Sequence, residues 1–428
     1  MIPGEMNKLN LIKIKLFIYF ILCLIYWQYM AIRLLLQRKY KLRETSKLCI
    51  VPCEPRTVIG SRGDEAMITA IVHNFYTRHP SGEVVVVTGY QTKAGEVKTG
   101  ILSNARIENV WSGHFRFINI FNFLRHEAPS ECYILGADCM DGYYSVWTSM
   151  TLLMVADLAT RFGIPTRITG FSFNESPSSW ILFCFRLATS KLLFRLRDPV
   201  SLQRFMVKTG RKAELVADVA FLLRPMATER TRRYTQWAQD ERMRGQRILG
   251  FNVHGLLFSK TMDINAQALD QITLQLHEFL QAHGDISCLL IPHDYRSGGD
   301  LDYLLPIYDA LLEFNNRVSI IQESLSAAEI KEVCGVLDGV FTSRMHLAIA
   351  ALGMVKPVSG FGYQGKFEGC LQHFNYTSQW ILKITEIVNL MDFLKLFMGS
   401  WTELESQVNK RLPDVLVLAG NNFTQQTI

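Results

Sequence analysis

From about residue 48 onward, short runs rich in β-branched and apolar residues alternate with stretches of helical hydrophobic period, which restricts the chain to layered α/β folds with mainly parallel sheets. In the first half the runs fall at residues 48–51, 84–87, 133–135, 167–169 and 193–196, and a second series occupies 248–252, 289–291, 318–321 and 340–342. Between the series, residues 228–245 (TERTRRYTQWAQDERMRG) are charged, follow Pro225 and have little apolar content of strand type. They read as a linker, helical in part. Two Rossmann-like domains facing a cleft are expected, at 48–227 and 246–377, followed by a C-terminal helical segment at 378–428 with a loose polar tail from Asn421. A chain of 428 residues with 49% hydrophobic content is ample for cores of that size.

Residues 1–47 carry a different message. From Leu16 to Ile32 the chain is apolar apart from Gln28, between Lys15 and Arg33. That is about the lower limit for crossing a bilayer, roughly 17 residues. Tyr26, Trp27 and Tyr29 are too bulky for a cleavage site and suit a membrane interface. The expectation is a membrane-anchor helix with a basic segment after it (Arg33, Arg38, Lys39, Lys41, Arg43, Lys47), which places the main body in the cytoplasm. An amphipathic helix lying in the membrane plane is the alternative.

The net charge of +6 is concentrated near that segment, and no aromatic-basic pattern, zinc-finger spacing or low-complexity region points to nucleic acid. Nine dispersed cysteines read as reduced thiols. No metal-ligand constellation is visible.

Two loops carry the chemistry. TSRMHLAIAALGMVKPVSGFGYQGK (342–366) follows a β-prone run, so a helix should start near Arg344, its N–H groups and the guanidinium together attracting an anion. His346 can exchange a proton near neutral pH. GSRGDEAMITAIV (60–72) puts Gly60 and Gly63 where the backbone can approach a ligand, with Asp64 and Glu65 in a first helical turn. This is neither a Walker loop nor G-x-G-x-x-G. Both loops fall at strand ends, where ligands bind in open α/β sheets.

The chain resembles the polysaccharide pyruvyl transferase family. The resemblance rests on Gly60 to Glu65, set against a G-N-x-G-D-E loop, on Ser343 to His346 as S-R-x-H, on Arg197-Asp198-Pro199-Val200-Ser201, on Ala217 to Phe221, and on Tyr363 with Lys366. Ser61 replaces an asparagine, and Leu135-Gly136-Ala137-Asp138 replaces a glycine-rich run. The resemblance implies a GT-B-like pair of domains and transfer of pyruvate from phosphoenolpyruvate onto sugar hydroxyls, commonly as a ketal, on an exopolysaccharide, a cell-surface glycan or its lipid-linked precursor. No other cofactor is implied.

Under that resemblance Arg344 and Arg197 are expected to grip the donor with help from Lys366, and His346 to act as general acid. Asp64 fits either a proton acceptor or a helix cap. Gly60, Gly63, Glu65, His293, Asp294 (with Asp300) and Tyr363 are assigned to the acceptor side or the cleft wall. Two alternatives stay open: a GT-B glycosyltransferase with a nucleotide-sugar donor, for which Glu368 is a lone acidic candidate, and a non-catalytic membrane-associated binding protein.

Overall fold

A computed structural model describes residues 3–36, 46–54, 62–89, 102–113, 115–255, 262–296, 298–362 and 366–424. Gly60, Ser61 and Tyr363 lie outside the described residues, as does the side chain of Lys366.

After helix α1 (Pro3–Leu36), β1 (Lys47–Val51), α2 (Arg62–Arg78), β2 (Glu83–Val87), β3 (Arg106–Glu108), α3 (Arg116–Glu127), β4 (Glu131–Ile134), α4 (Val146–Phe162), β5 (Thr166–Ile168) and α5 (Ser179–Leu187) build the first layer set. The sheet runs β3-β2-β1-β4-β5, all parallel. A small parallel pair, β6 (Phe194–Leu196) and β7 (Ala213–Leu215), flanks α6 (Pro199–Thr209) and joins that sheet through single bridges at Phe171.

The region expected as a linker is a regular helix, α7 (Glu229–Met243), held by a reciprocal cap between Thr228 and Thr231. Tyr234, Ala238 and Glu241 are buried, and the Ser287 hydroxyl donates to Glu241 at 2.7 Å. Its polar sequence conceals a narrow packed face that carried no strand-type signal.

There follow β8 (Arg247–Asn252), α8 (Met262–Ala282), β9 (Ile286–Leu290), α9 (Asp300–Ala310), β10 (Val318–Ile320), α10 (Ala327–Cys334), β11 (Gly339–Thr342), α11 (Met345–Leu352), β12 (Val358–Gly362), α12 (Lys366–Gln372), β13 (Ile381–Lys383), α13 (Leu390–Gly399) and α14 (Trp401–Gly420). The second sheet runs β10-β9-β8-β11-β12-β13, again all parallel. In each sheet the order reverses beside the first strand, between β1 and β4 and between β8 and β11. Those crevices are where an open α/β sheet binds ligands.

The tail expected to be loose is ordered through Thr424. Asn422 is fully buried, its side-chain oxygen accepting from Gly170 N at 2.8 Å while Nδ2 donates to the carbonyls of Ala217 and Ala419, both at 2.9 Å. A buried amide satisfied this way ties the chain end to the first half. Residues 425–428 are outside the described set.

Residues 14–36 of α1 are long and apolar enough to cross a membrane, and 39% of an 18-residue window within them is buried. Phe20, Cys23, Leu24, Trp27, Met30, Ala31 and Leu34 form an inward stripe at three- and four-residue spacing. The Trp27 indole N–H donates to Asp157 Oδ2 of α4 at 2.8 Å. Ile18, Ile21, Leu22, Ile25 and Ile32 are exposed on the other side. The helix therefore lies along the body rather than projecting from it.

Candidate active site

The ends of β1, β4, β8, β9 and β11 converge on one polar cavity of about 300 Å³ between the two sheets. Cys53 and the first turn of α2 (Gly63, Asp64) enter from β1, Asp138 and Cys139 from β4, His254 from β8, His293 and Arg296 from β9, and Arg344 and His346 from β11.

Thr342 Oγ1 accepts from Arg344 N at 2.9 Å and itself donates to Asn252 Oδ1 at 2.9 Å, fixing the turn at which α11 begins one residue later than expected, at Met345. Arg344 Nε lies 2.9 and 3.1 Å from the two Asp300 oxygens, and Nη2 donates to Asp300 Oδ1 at 2.5 Å and to Asp294 Oδ2 at 3.2 Å. Asp300 is fully buried and also accepts from Asn252 Nδ2 and His293 N, each at 2.9 Å. Arg296 holds Asp294 on the other side at 2.6 Å. Burial works against the Asp294 charge, yet Arg296 and Arg344 hold its carboxyl down at about 2. The guanidinium of Arg344 is thus locked by two carboxylates, and among the described residues its Nη1 has no hydrogen-bond partner. That edge is preorganised for an anion.

Arg197 lines the same cavity as Arg344. It is buried, donating from Nε to Ser172 Oγ and from Nη1 to Asp218 Oδ2, both at 2.8 Å, and among the described residues its Nη2 has no hydrogen-bond partner. Asp218 Oδ2 in turn lies 3.5 Å from His346 Nε2, long for a hydrogen bond. Burial opposes the charge on Asp218, but His346 and Arg197 outweigh it and hold the carboxyl well below the usual range. Arg197 fixes an anion that faces His346.

Gly63 packs against the other side of His346, where a Cβ would overlap the imidazole. Asp64, the next residue, accepts from the Cys53 thiol at 3.1 Å, and burial pushes its carboxyl up, with Cys53 and His346 opposing. A raised carboxyl beside an imidazole is suited to taking a proton. Glu65 points away from the cavity, contrary to its assignment to the cleft. One helical position from Asp64 turns its side chain toward α10, where it pairs with Arg62 at 2.7 Å and accepts from the Ala327 backbone N–H. It braces α2 on the second half.

His293 lines the cavity as expected, and burial, then the positive charges of His346 and Arg344, hold it well below the usual histidine range. His254 was not singled out from the sequence, although it stands two residues past the end of β8, the position that pointed to Arg344 and His346. Burial and Arg344 bring it down to about 3. Cys139 and Arg296 were missed too, since thiols and single arginines in loops carry no motif. In the altered run, Ala137 adopts a positive φ of 43°, a conformation that favours glycine.

His254 sets a pH dependence. Its folded value lies below that of the unfolded chain, so unfolded molecules bind the proton first and stability falls as pH drops from roughly 6.5 toward 3. His254 alone contributes a loss of about 2 kcal/mol at pH 5 relative to pH 7.5, so His254→Gln should lose that much less than the wild type while the share due to His293 remains, by urea denaturation at both pH values.

The two facing parallel sheets define a GT-B fold, shared with solved sugar-nucleotide enzymes. A putative UDP-N-acetylglucosamine 2-epimerase from Listeria monocytogenes aligns at TM-score 0.56 and 11% identity, over 89% of this chain and 94% of that one. The S. aureus MnaA–UDP complex aligns at 0.56 and 10% identity, over 89% and 98%. None of the curated proteins matches the chain by sequence. The family model for polysaccharide pyruvyl transferase matches residues 62–365, and the chain belongs to that family.

Proposed function

We propose that the chain transfers pyruvate from phosphoenolpyruvate onto two hydroxyls of a sugar in an exopolysaccharide or cell-surface glycan, forming a ketal and releasing phosphate. The observation that carries this reading is the placement of Arg344 and His346 at one strand end, with Asp64 from a second strand end beside the imidazole in the same cavity. The free edge of Arg344, with Arg296 nearby, suits the donor phosphate and carboxylate. His346 delivers a proton to the terminal enol carbon while an acceptor hydroxyl attacks the adjacent carbon, and Asp64 accepts the hydroxyl proton. The carbon–oxygen bond to phosphate then breaks, and the second hydroxyl closes the ring, giving its proton to His346, which gave one up in the first step. Arg197 and Asp218 position His346.

A nucleotide-sugar donor is the second reading, favoured by Glu368, whose Oε2 is buried and, among the described residues, has no hydrogen-bond partner beside Gly362. Such a carboxylate suits ribose hydroxyls. Thermal unfolding separates the two. At about 100 times its Kd, phosphoenolpyruvate should stabilise the protein by roughly 2.7 kcal/mol, and Arg344→Ala should abolish the effect. Stabilisation by a UDP-sugar alone would overturn pyruvyl transfer.

We also take α1 as an in-plane membrane anchor. Its packed stripe and its exposed apolar face suit a helix half sunk in the bilayer surface, with Lys15 and Arg33 toward lipid headgroups. A cytoplasmic body is supported by nine cysteines that are all free.

A further inference from the structure

A second cavity, of about 550 Å³, lies between α1 and the start of α4, walled by Ile14, Leu16, Phe17, Val146, Trp147 and Trp180, with Ser178 at its edge. Its size is within the roughly 300–1,000 Å³ of small-molecule sites, but among the described residues its wall offers almost no hydrogen-bonding group. Trp180 is held by Phe20 and Phe17, with ring centroids 4.1 and 5.6 Å away, and Trp147 by Tyr19 at 4.7 Å.

Two features of its setting say what it holds. Leu16 continues the inward stripe, four residues before Phe20, and is exposed, while Phe17 stands at the edge of the exposed apolar face, four residues before Ile21, so the cavity opens at the border of the surface taken above as lying in the bilayer. It also adjoins the polar cleft. Tyr144 lines the cleft and Val146, two residues on, lines the apolar cavity, with Ser145 between them capping α4. Tyr143 and Tyr144 are half exposed and meet edge to face, ring centroids 5.2 Å apart. A molecule spanning both sites has a sugar at one end and a hydrocarbon at the other.

We infer that this cavity takes the hydrocarbon chain of a lipid-linked acceptor glycan, holding its sugar in the cleft beneath Arg344 and His346. The sugar end of this inference rests on the pyruvyl transfer reading. The chain end rests on the cavity alone.

The test uses the full-length protein and 11,12-dibromostearic acid, kept below its aggregation concentration, as a heavy-atom quencher of tryptophan. We expect saturable quenching at one acid per chain, reduced in Trp147→Phe and Trp180→Phe, while Trp27, buried against Asp157, stays unquenched. Val146→Glu places a carboxylate in the apolar wall and should weaken binding about tenfold or more. The new glutamate sits in the first turn of α4, where negative charge favours the helix, so the fold should hold. Unchanged stabilisation of that variant by phosphoenolpyruvate would verify it. Faster pyruvyl transfer to lipid-linked glycan than to the same glycan freed of lipid, with the advantage lost in Val146→Glu, completes the expected result.

Non-saturable quenching, equal quenching of Val146→Glu, or a dimer in sedimentation that shields both tryptophans from the acid would overturn the inference. If phosphoenolpyruvate fails to stabilise the wild type, the transfer reading falls, and the quenching still decides what the cavity binds.

Discussion

Replacing His346 with alanine is expected to lower the rate of pyruvyl transfer by about 10²- to 10⁴-fold, the range for a positioned general acid, with little change in phosphoenolpyruvate affinity. The separation follows from the geometry. Arg344 is fixed by Asp300 and Asp294, and none of its hydrogen bonds runs to His346. The imidazole lies between Gly63 and Asp218, so its loss opens space beside the reacting carbon and leaves the anion site in place. Single-turnover transfer, paired with thermal unfolding in phosphoenolpyruvate, reads the two effects apart. Asp218→Asn should give a smaller loss and a shifted pH profile, since it removes the charge facing the imidazole but keeps its shape. If His346→Ala transfers pyruvate at the wild-type rate, proton delivery belongs elsewhere. His254 and His293 are the nearest candidates, and both are held in the neutral form.

Asp300→Ala is expected to destabilise the protein by about 3–5 kcal/mol, the cost of leaving a buried charge without its partner. Three donors lose one acceptor: the Arg344 guanidinium, the Asn252 amide and the His293 backbone N–H. Asp294 remains as a second partner for Arg344, though Arg296 competes for it, so the lower end of the range is expected. The variant should also bind phosphoenolpyruvate more weakly, because the guanidinium is no longer held in one orientation. Urea denaturation with an unchanged m-value checks the stability. A loss below about 1 kcal/mol would mean that water replaces the carboxylate without difficulty and that Asp300 is not the anchor.

Much of this site was legible in the sequence because strand ends can be read there. Residues 48–51, 84–87, 248–252 and 340–342 were placed on strands by their apolar, β-branched content, and the strand-to-helix junctions after the first and last of them hold Asp64, Arg344 and His346. β12 was not anticipated because Val358–Gly362 contains two glycines, which weaken strand propensity. Gly360 is required for close approach, since a Cβ there would collide with the Thr342 carbonyl. β13 and β3 are three residues each, too short to show an alternation. Helix α7 was taken for a linker because its buried face is only Thr231, Tyr234, Ala238 and Glu241.

The sequence by itself determined the layered α/β class, the two series of strands, the apolar N-terminal helix and the residues at the strand ends, because period, propensity and loop chemistry are local properties. Only the tertiary structure decided what each charged group faces. Arg197 and Arg344 read alike in the chain, yet one is held by Asp218, which faces His346, and the other by Asp300 and Asp294, because their carboxylate partners are distant in sequence. Asp64 and Glu65 are adjacent, and the helical rotation between them sends one to the cleft and the other to α10. Helix α1 likewise could not declare its position from hydropathy, which is the same for a spanning and a lying helix. The indole of Trp27 reaching Asp157, 130 residues away, lays it along the body.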